Sequence, residues 1–222
     1  MAYTGRCGTI VTDVLRLMND AGQSYTKEAD ILAWMNLLVY ELAEEGYWQG
    51  YASINTTANT ATYDISAATF TGLTNYTFVS LDKLYWVYEG AKDREIELCS
   101  RERIEEALSI TPTAATVRGY FMAGTILNWV PVPTGSLTAA MRAWCNVSPP
   151  ALTGGTPTDN PVTPKTFDLY FIYGCCEKAV MKDKTSVTRD SDILMYRGLK
   201  EEWKQKILFG GGPTKIIMKS YR

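Results

Sequence analysis

Apolar residues recur every three or four positions at both ends of the chain and every second position in its middle. The first spacing is that of a helix with one buried stripe, the second that of a strand with one buried face. Ile10, Val14, Leu17 and Met18, widened by Val11 and Leu15, predict a first helix from about Thr9 to Asn19, with Gly22 near its C-cap. "YTKEADILAWMNLLVYELAEEGYW" predicts a second. Thr26 fits its N-cap, Glu28 and Asp30 complement its dipole, and Gly46 stops it. Ile31, Met35, Leu38 and Leu42 form one stripe, while Leu32, Trp34, Leu37 and Val39 carry apolar character almost all round, with Asn36 the polar exception. Such a helix is buried on several sides or shared with a neighbouring subunit.

Between residues 49 and 148 the period changes. "YASINTTANTATYDIS" predicts a hairpin turning near Ala58-Asn59. "NYTFVSLDKLYWVYEG" predicts a long strand, turned at Glu89-Gly90 and returning through "REIELC". "SRERIEEALS" predicts a short helix capped by Ser100. A hairpin in "ATVRGYFMAGTILNWVPVP" turns at Ala123-Gly124, and Pro131 and Pro133 end its second strand because proline cannot sit in a central strand. "SLTAAMRAWCNVS" alternates Leu137, Ala139, Met141, Ala143 and Cys145 against polar neighbours and closes the region.

Helical spacing then returns. Thr163 and Pro164 suit the start of a helix from Lys165 to about Lys184, with small Gly174, Cys175 and Cys176 at its centre. Thr188 caps a last helix to Phe209, with Tyr196, Leu199, Trp203 and Ile207 as its apolar stripe. The expectation is an α+β protein. Residues 1–48 and 163–209 make a helical bundle, 49–148 an inserted antiparallel β-domain, 149–162 a Pro/Gly/Thr loop, and 210–222 a hinged, flexible C-terminal docking tail.

Charge sharpens this division. Residues 1–176 carry 11 Lys+Arg against 18 Asp+Glu, and residues 177–222 carry 11 against 6. An acidic body with a basic C-terminal segment suggests docking on an acidic partner or near nucleic acid; the alternative is two solvated helix faces. In the tail, "TKIIMKSYR" places an apolar β-former between cations behind a glycine hinge, a composition suited to strand addition or groove docking on a partner.

The chemistry is bounded mainly by what is missing. The chain has no histidine, which removes the usual general base and commonest metal ligand and excludes His-based triads, zinc deaminase sites and His-x-Glu metalloproteases. Its five cysteines form no CxxC, and Cys175-Cys176 is poorly placed for a disulfide, so reduced, buried thiols are expected. "GGGP" at 210–213 lacks the GK[ST] ending and is a helix terminator, not a phosphate loop. No signal pattern or membrane-length apolar run stands out, which fits synthesis in a cytosol-like compartment. Glu41/Glu44/Glu45 and Glu102/Glu105/Glu106 are the only carboxylate groups for a hydrolase, and both suit a solvated helix face. Trp129 and Trp144 fit sheet packing, or a stacking platform for a sugar. No catalytic residue, cofactor or metal is expected. A carbohydrate-binding or tail-associated β-module using Trp129 and Trp144 and a carboxylate-based hydrolase stay open as alternatives.

Taken in order, the parts resemble a known family. "YTKEADILAWMNLLVYELAEEGYW", "TTANTATYDIS", "GYFMAGTILNWVPVPTGSLTAAMRAWC" and "TPKTFDLYFIYGCCEKAVMKD" with its following Trp-containing helix are similar to the head-to-tail adaptor proteins of short-tailed bacteriophages, also called tail tubular protein A or tail accessory factor. The resemblance implies a non-enzymatic virion protein, made in the bacterial host cytoplasm and placed at the portal–tail junction. It implies a self-assembled ring, a dodecamer, between the portal protein and the tail nozzle protein, with double-stranded DNA passing through the lumen without sequence-specific binding and no membrane involved. It further implies a portal contact through Lys215, Ile216, Ile217, Met218, Lys219 and Arg222, and subunit contacts through the aromatic-rich helices and sheet, with Trp34, Leu38 and Trp129 as candidates.

Overall fold

The computed structural model describes residues 5–87, 94–99, 117, 119–153, 161, 163–183 and 189–209. It is a mixed α+β protein whose chain divides into two compact units. Among the described residues, one holds the chain up to Tyr47 and from Pro149 to Phe209; the other holds Trp48–Ser148.

The helical unit contains α1 (Gly5–Leu17), α2 (Glu28–Glu44), α3 (Asp168–Lys182) and α4 (Arg189–Phe209). α3 touches the other three and is its centre. Nine of its residues are buried, from Tyr170 to Val180. Gly174 sits where α2 comes closest: a Cβ there would meet the Leu38 methyl carbons at 2.6 and 2.7 Å. The Tyr170 hydroxyl donates to the Leu38 carbonyl oxygen at 3.3 Å beside that contact.

α1 ends earlier than its apolar pattern suggests. Asn19 adopts a left-handed backbone, and the Asp20 N–H donates to the Leu15 carbonyl, so the cap lies at Asn19 and not at Gly22. Leu17 is thereby left 46% exposed, while Cys7 takes a buried place on the stripe. α2 starts after Lys27, because Thr26 is buried with its N–H donating to Asp20. Gly46 ends α2 with a positive φ, as its position suggests.

The other unit is one seven-stranded sheet in the order β1-β7-β3-β4-β5-β6-β2. Its strands are β1 (Gln49–Thr56), β2 (Thr62–Asp64), β3 (Thr77–Trp86), β4 (Arg94–Leu98), β5 (Gly119–Ala123), β6 (Ile126–Val130) and β7 (Leu137–Ser148). The β5–β6 hairpin turns at Gly124, whose φ of 64° suits glycine.

The pairing departs from the sequence expectation in three places. β1 and β2 do not form a hairpin: β1 pairs with β7 and β2 with β6. The turn at Asn59 exists, but its Asn59 N–H donates to the Pro133 carbonyl and the Ala58 N–H to Ser136 Oγ, which ties it to the β6–β7 connection. β6 and β7 do not pair although consecutive strands usually neighbour, since β7 lies between β1 and β3. The β-region is also not wholly antiparallel, because β4 and β5 run parallel. Parallel neighbours need a crossover of a dozen residues or more, and the stretch between Leu98 and Gly119 supplies that length.

Within β7 the expected alternation holds from Met141 to Val147 and fails before it. Ala139 has a φ of 48°, its N–H donates to Asn55 Oδ1 at 2.7 Å, and the inward position passes to Ala140. The predicted helix at 100–109, its Glu102/Glu105/Glu106 group, the Glu89-Gly90 turn, the Thr188 cap, most of the 149–162 loop and the entire 210–222 tail lie outside the described residues.

Candidate interaction surfaces

The three residues singled out for subunit contact occupy different environments. Trp34 lies half-buried on α2. Leu38, one turn later, is 1% exposed and packs inward against Gly174. Trp129, in the β-unit, is 4% exposed and faces Tyr120 across the β5–β6 pair. Lys215, Ile216, Ile217, Met218, Lys219 and Arg222 all lie outside the described residues.

Around Trp34 the structure exposes a face that the sequence left undifferentiated. Ala29, Ala33, Leu37 and Tyr40 fall at helical spacing and are all exposed. Leu37 is 58% and Tyr40 45% accessible. On α4, Leu194, Met195 and Phe209 also point outward. α2 and α4 thus each present exposed apolar side chains on the same unit.

α4 is docked by charge. Of the stripe read from its apolar spacing, Ile207 is buried while Tyr196, Leu199 and Trp203 are only half-buried, and the other residues withdrawn from solvent are Lys200 and Lys204. The cause lies on the facing helices. Lys204 Nζ reaches Glu41 at 3.1 Å and Glu45 at 2.9 Å on α2. Lys200 Nζ reaches Glu177 on α3 at 3.3 Å and Glu41 at 3.6 Å, and Arg197 Nε donates to Glu177 at 2.7 Å. Burial pushes the Glu177 carboxyl up, but the Arg197 hydrogen bond and the Lys200 charge prevail and hold it below its ordinary value. Burial pushes Lys204 down, and its hydrogen bonds to Glu45 and Glu41 raise it overall. Glu41 and Glu45 are therefore paired with α4, while Glu44 and Glu45 stay exposed as a solvated face would be. The clue in the sequence is the i, i+3, i+7 spacing of Arg197, Lys200 and Lys204 against Glu41 and Glu45 one turn apart.

Two polar side chains fasten the connection between the units' chain segments within the helical unit. Asn36 donates from Nδ2 to the Leu152 carbonyl at 3.0 Å and accepts from the Leu152 N–H at 2.8 Å, so it pairs with that backbone as a strand would. Arg6 pairs with Asp168 at 2.5 Å and donates to the carbonyls of Pro161, Thr163 and Pro164. The sequence marked Asn36 as anomalous and gave no sign of Arg6.

In the β-unit, Trp144 is half-buried, its ring 5.4 Å from that of Tyr51, with the Arg142 guanidinium 5.1 Å above Tyr51. Trp129 is buried, so the two tryptophans do not build one platform. Cys145 and Cys176 are buried and their thiols pushed up to about 12, which suppresses thiolate chemistry at neutral pH. Among the described residues no group of three or more His, Cys, Asp or Glu side chains is placed to hold a metal ion, and no helix is long and apolar enough to cross a membrane.

Comparison with known proteins adds one finding. The family model described as "SU10 adaptor protein" matches residues 6–207, all but the first five and last fifteen positions of the chain. No curated protein matches it.

Proposed function

This chain belongs to the SU10 adaptor protein family, a structural adaptor of the bacteriophage head–tail junction, and we propose that in that role it forms a ring between the portal and the tail nozzle of a short-tailed phage. The match from residue 6 to 207 is the observation that carries this reading, because it spans both units and not one motif. The ring is a dodecamer that lets DNA pass through its lumen without sequence-specific binding.

The subunit surface supports a head-to-tail contact. A closed ring buries two different patches on each copy. The α2 face of Ala33, Leu37 and Tyr40, bordered by Trp34, and the α4 face of Leu194 and Met195 are two such patches. Leu38 serves the contact from beneath, by holding α2 in place, and Trp129 by packing the sheet. The tail residues Lys215, Ile216, Ile217, Met218, Lys219 and Arg222 dock on the portal, the apolar trio as anchor and the cations as rim. A net charge of -2 suits a conduit, since a strongly basic lumen would hold DNA phosphates by counterion release.

Mass measurement of the purified chain, alone and mixed with the portal protein of the same phage, tests the reading. Rings, or a portal-templated complex with one adaptor per portal subunit, are expected. A chain that stays monomeric in the presence of portal overturns it.

A further inference from the structure

We propose that α4 is a charge-latched arm: it is docked on α2 and α3 by a row of six alternating charges, and it undocks as one piece, carrying residues 210–222 with it, when that row is weakened.

The row runs Arg197–Glu177–Lys200–Glu41–Lys204–Glu45, with successive N···O separations of 2.7, 3.3, 3.6, 3.1 and 2.9 Å. Every cation is on α4, and the anions are on α2, on its C-cap residue Glu45 and on α3. The three cations fall on one face of α4, so they disengage together. The middle of the row is withdrawn from water: the side chains of Glu177, Lys200 and Lys204 are 4, 10 and 11% exposed. Its ends are open, with Arg197 and Glu45 about half exposed.

Such a row positions a helix more than it stabilises one. The desolvation of buried charges offsets most of their attraction, whereas the loss of a single partner leaves a buried charge uncompensated. Glu177 Oε2 shows the cost directly, since it faces Lys200 yet lacks a hydrogen bond. Apolar burial along α4 is partial: Tyr196, Leu199 and Trp203 are half-buried. Ile207 is the only apolar residue of α4 that is fully buried, while Leu194, Met195 and Phe209 face outward. α3, by contrast, buries residues on every side. An element with few buried apolar contacts opens at a lower free energy than the core it lies on. Lys200 and Lys204 also account for much of the C-terminal segment's basic surplus, so the acidic partner of that surplus is the chain's own α2.

The undocking does not depend on the adaptor reading; only its use does, namely to deliver the tail to the portal during assembly. Hydrogen–deuterium exchange on the full-length chain tests the latch without any partner. Raising salt from about 0.1 M to about 1 M shortens the screening length from about 10 Å to about 3 Å. The expected result is exchange in α4 about tenfold faster at the higher salt, the scale of one or two weakened pairs, with α1, α2 and α3 unchanged. Lys204→Glu speeds exchange in α4 at both salts and leaves α3 protected. Replacing Glu41, Glu177, Lys200 and Lys204 together by Met removes the salt response and slows exchange in α4. Exchange of α4 in step with α3 at both salts overturns the proposal, as does a salt response that survives the fourfold Met variant. Either failure leaves the ring and portal measurements untouched.

Discussion

At the scale of single residues, two positions set how the helical unit closes. Gly174 lets α3 approach α2 until only hydrogen fits between its Cα and the Leu38 methyl groups. Leu38 is 1% exposed, so it can only move within the core. Gly174→Ala would gain about 0.8–1 kcal/mol of helix propensity. The clash costs more, about 1–3 kcal/mol for an overpacked core, so a net loss of stability is expected in chemical denaturation. Leu38→Ala in the same chain should recover part of it, because the two side chains contend for one space and their effects cannot add. Equal losses from Gly174→Ala in both backgrounds would show that the close approach is not what glycine serves. Asp20 is the second position. Its carboxylate accepts the Thr26, Tyr25 and Ser24 N–H groups at 2.7, 3.0 and 2.7 Å. The Thr26 bond foremost, and those of Tyr25 and Ser24, hold its carboxyl below its ordinary 3.8. A carboxyl lowered by folding stabilises the protein above that ordinary value, and the contribution is lost as pH falls through the lower, folded value. Acid titration of unfolding should therefore show stability falling below about pH 4. Asp20→Asn, which keeps an acceptor but not the charge, should flatten that part of the curve. An unchanged acid profile in Asp20→Asn would place the pH dependence elsewhere.

At the scale of elements, the sequence carries what is local and loses what is shared. The four helices, the long strand around Trp86, the Gly124 hairpin and the β7 alternation past Met141 are legible because each is written in its own period. Strand partners are not. "YASINTTANTATYDIS" looks like a hairpin because its two runs flank a turn, yet whether they pair depends on β7 and β6, far along the chain. α4 is read only in part for a related reason: Ile207 is buried as its spacing suggests, but Lys200 and Lys204 are drawn in by Glu41, Glu45 and Glu177, which apolar spacing does not see. The all-round apolar character of α2 was visible, but which of its positions remain exposed was not. Leu37 and Tyr40, not the inward Leu38, occupy the outer face. If that face is the subunit contact, Leu37→Glu with Tyr40→Ser should leave thermal unfolding of the monomer within about 0.5 kcal/mol of the parent, as surface changes do. The same pair should abolish the ring by sedimentation. A double variant that still assembles would remove α2's outer face from the interface.

For the whole molecule, the uneven charge resolves into two parts with different uses. Much of the positive charge on α4 is spent inside the chain, on Glu177, Glu41 and Glu45. What remains unspent in sequence is the final stretch, where Lys215, Lys219 and Arg222 flank Ile216, Ile217 and Met218 without an acidic residue. The match to the family model stops at residue 207, just short of it, so the proposed docking role of this stretch can be tested apart from the matched residues. A chain ending at Phe209 should assemble like the parent and lose its hold on the portal. The two parts of the segment should then contribute unequally. Rim charges are each worth about 0.2–1 kcal/mol and are screened by salt, so Lys215→Ala, Lys219→Ala and Arg222→Ala together should weaken binding by about three- to 150-fold and flatten its salt dependence. Burying a large aliphatic side chain is worth about 1.5–3 kcal/mol, so serine at 216, 217 and 218 should weaken it further and leave the salt slope in place. Full portal affinity in the chain ending at Phe209 would move the contact onto the folded units.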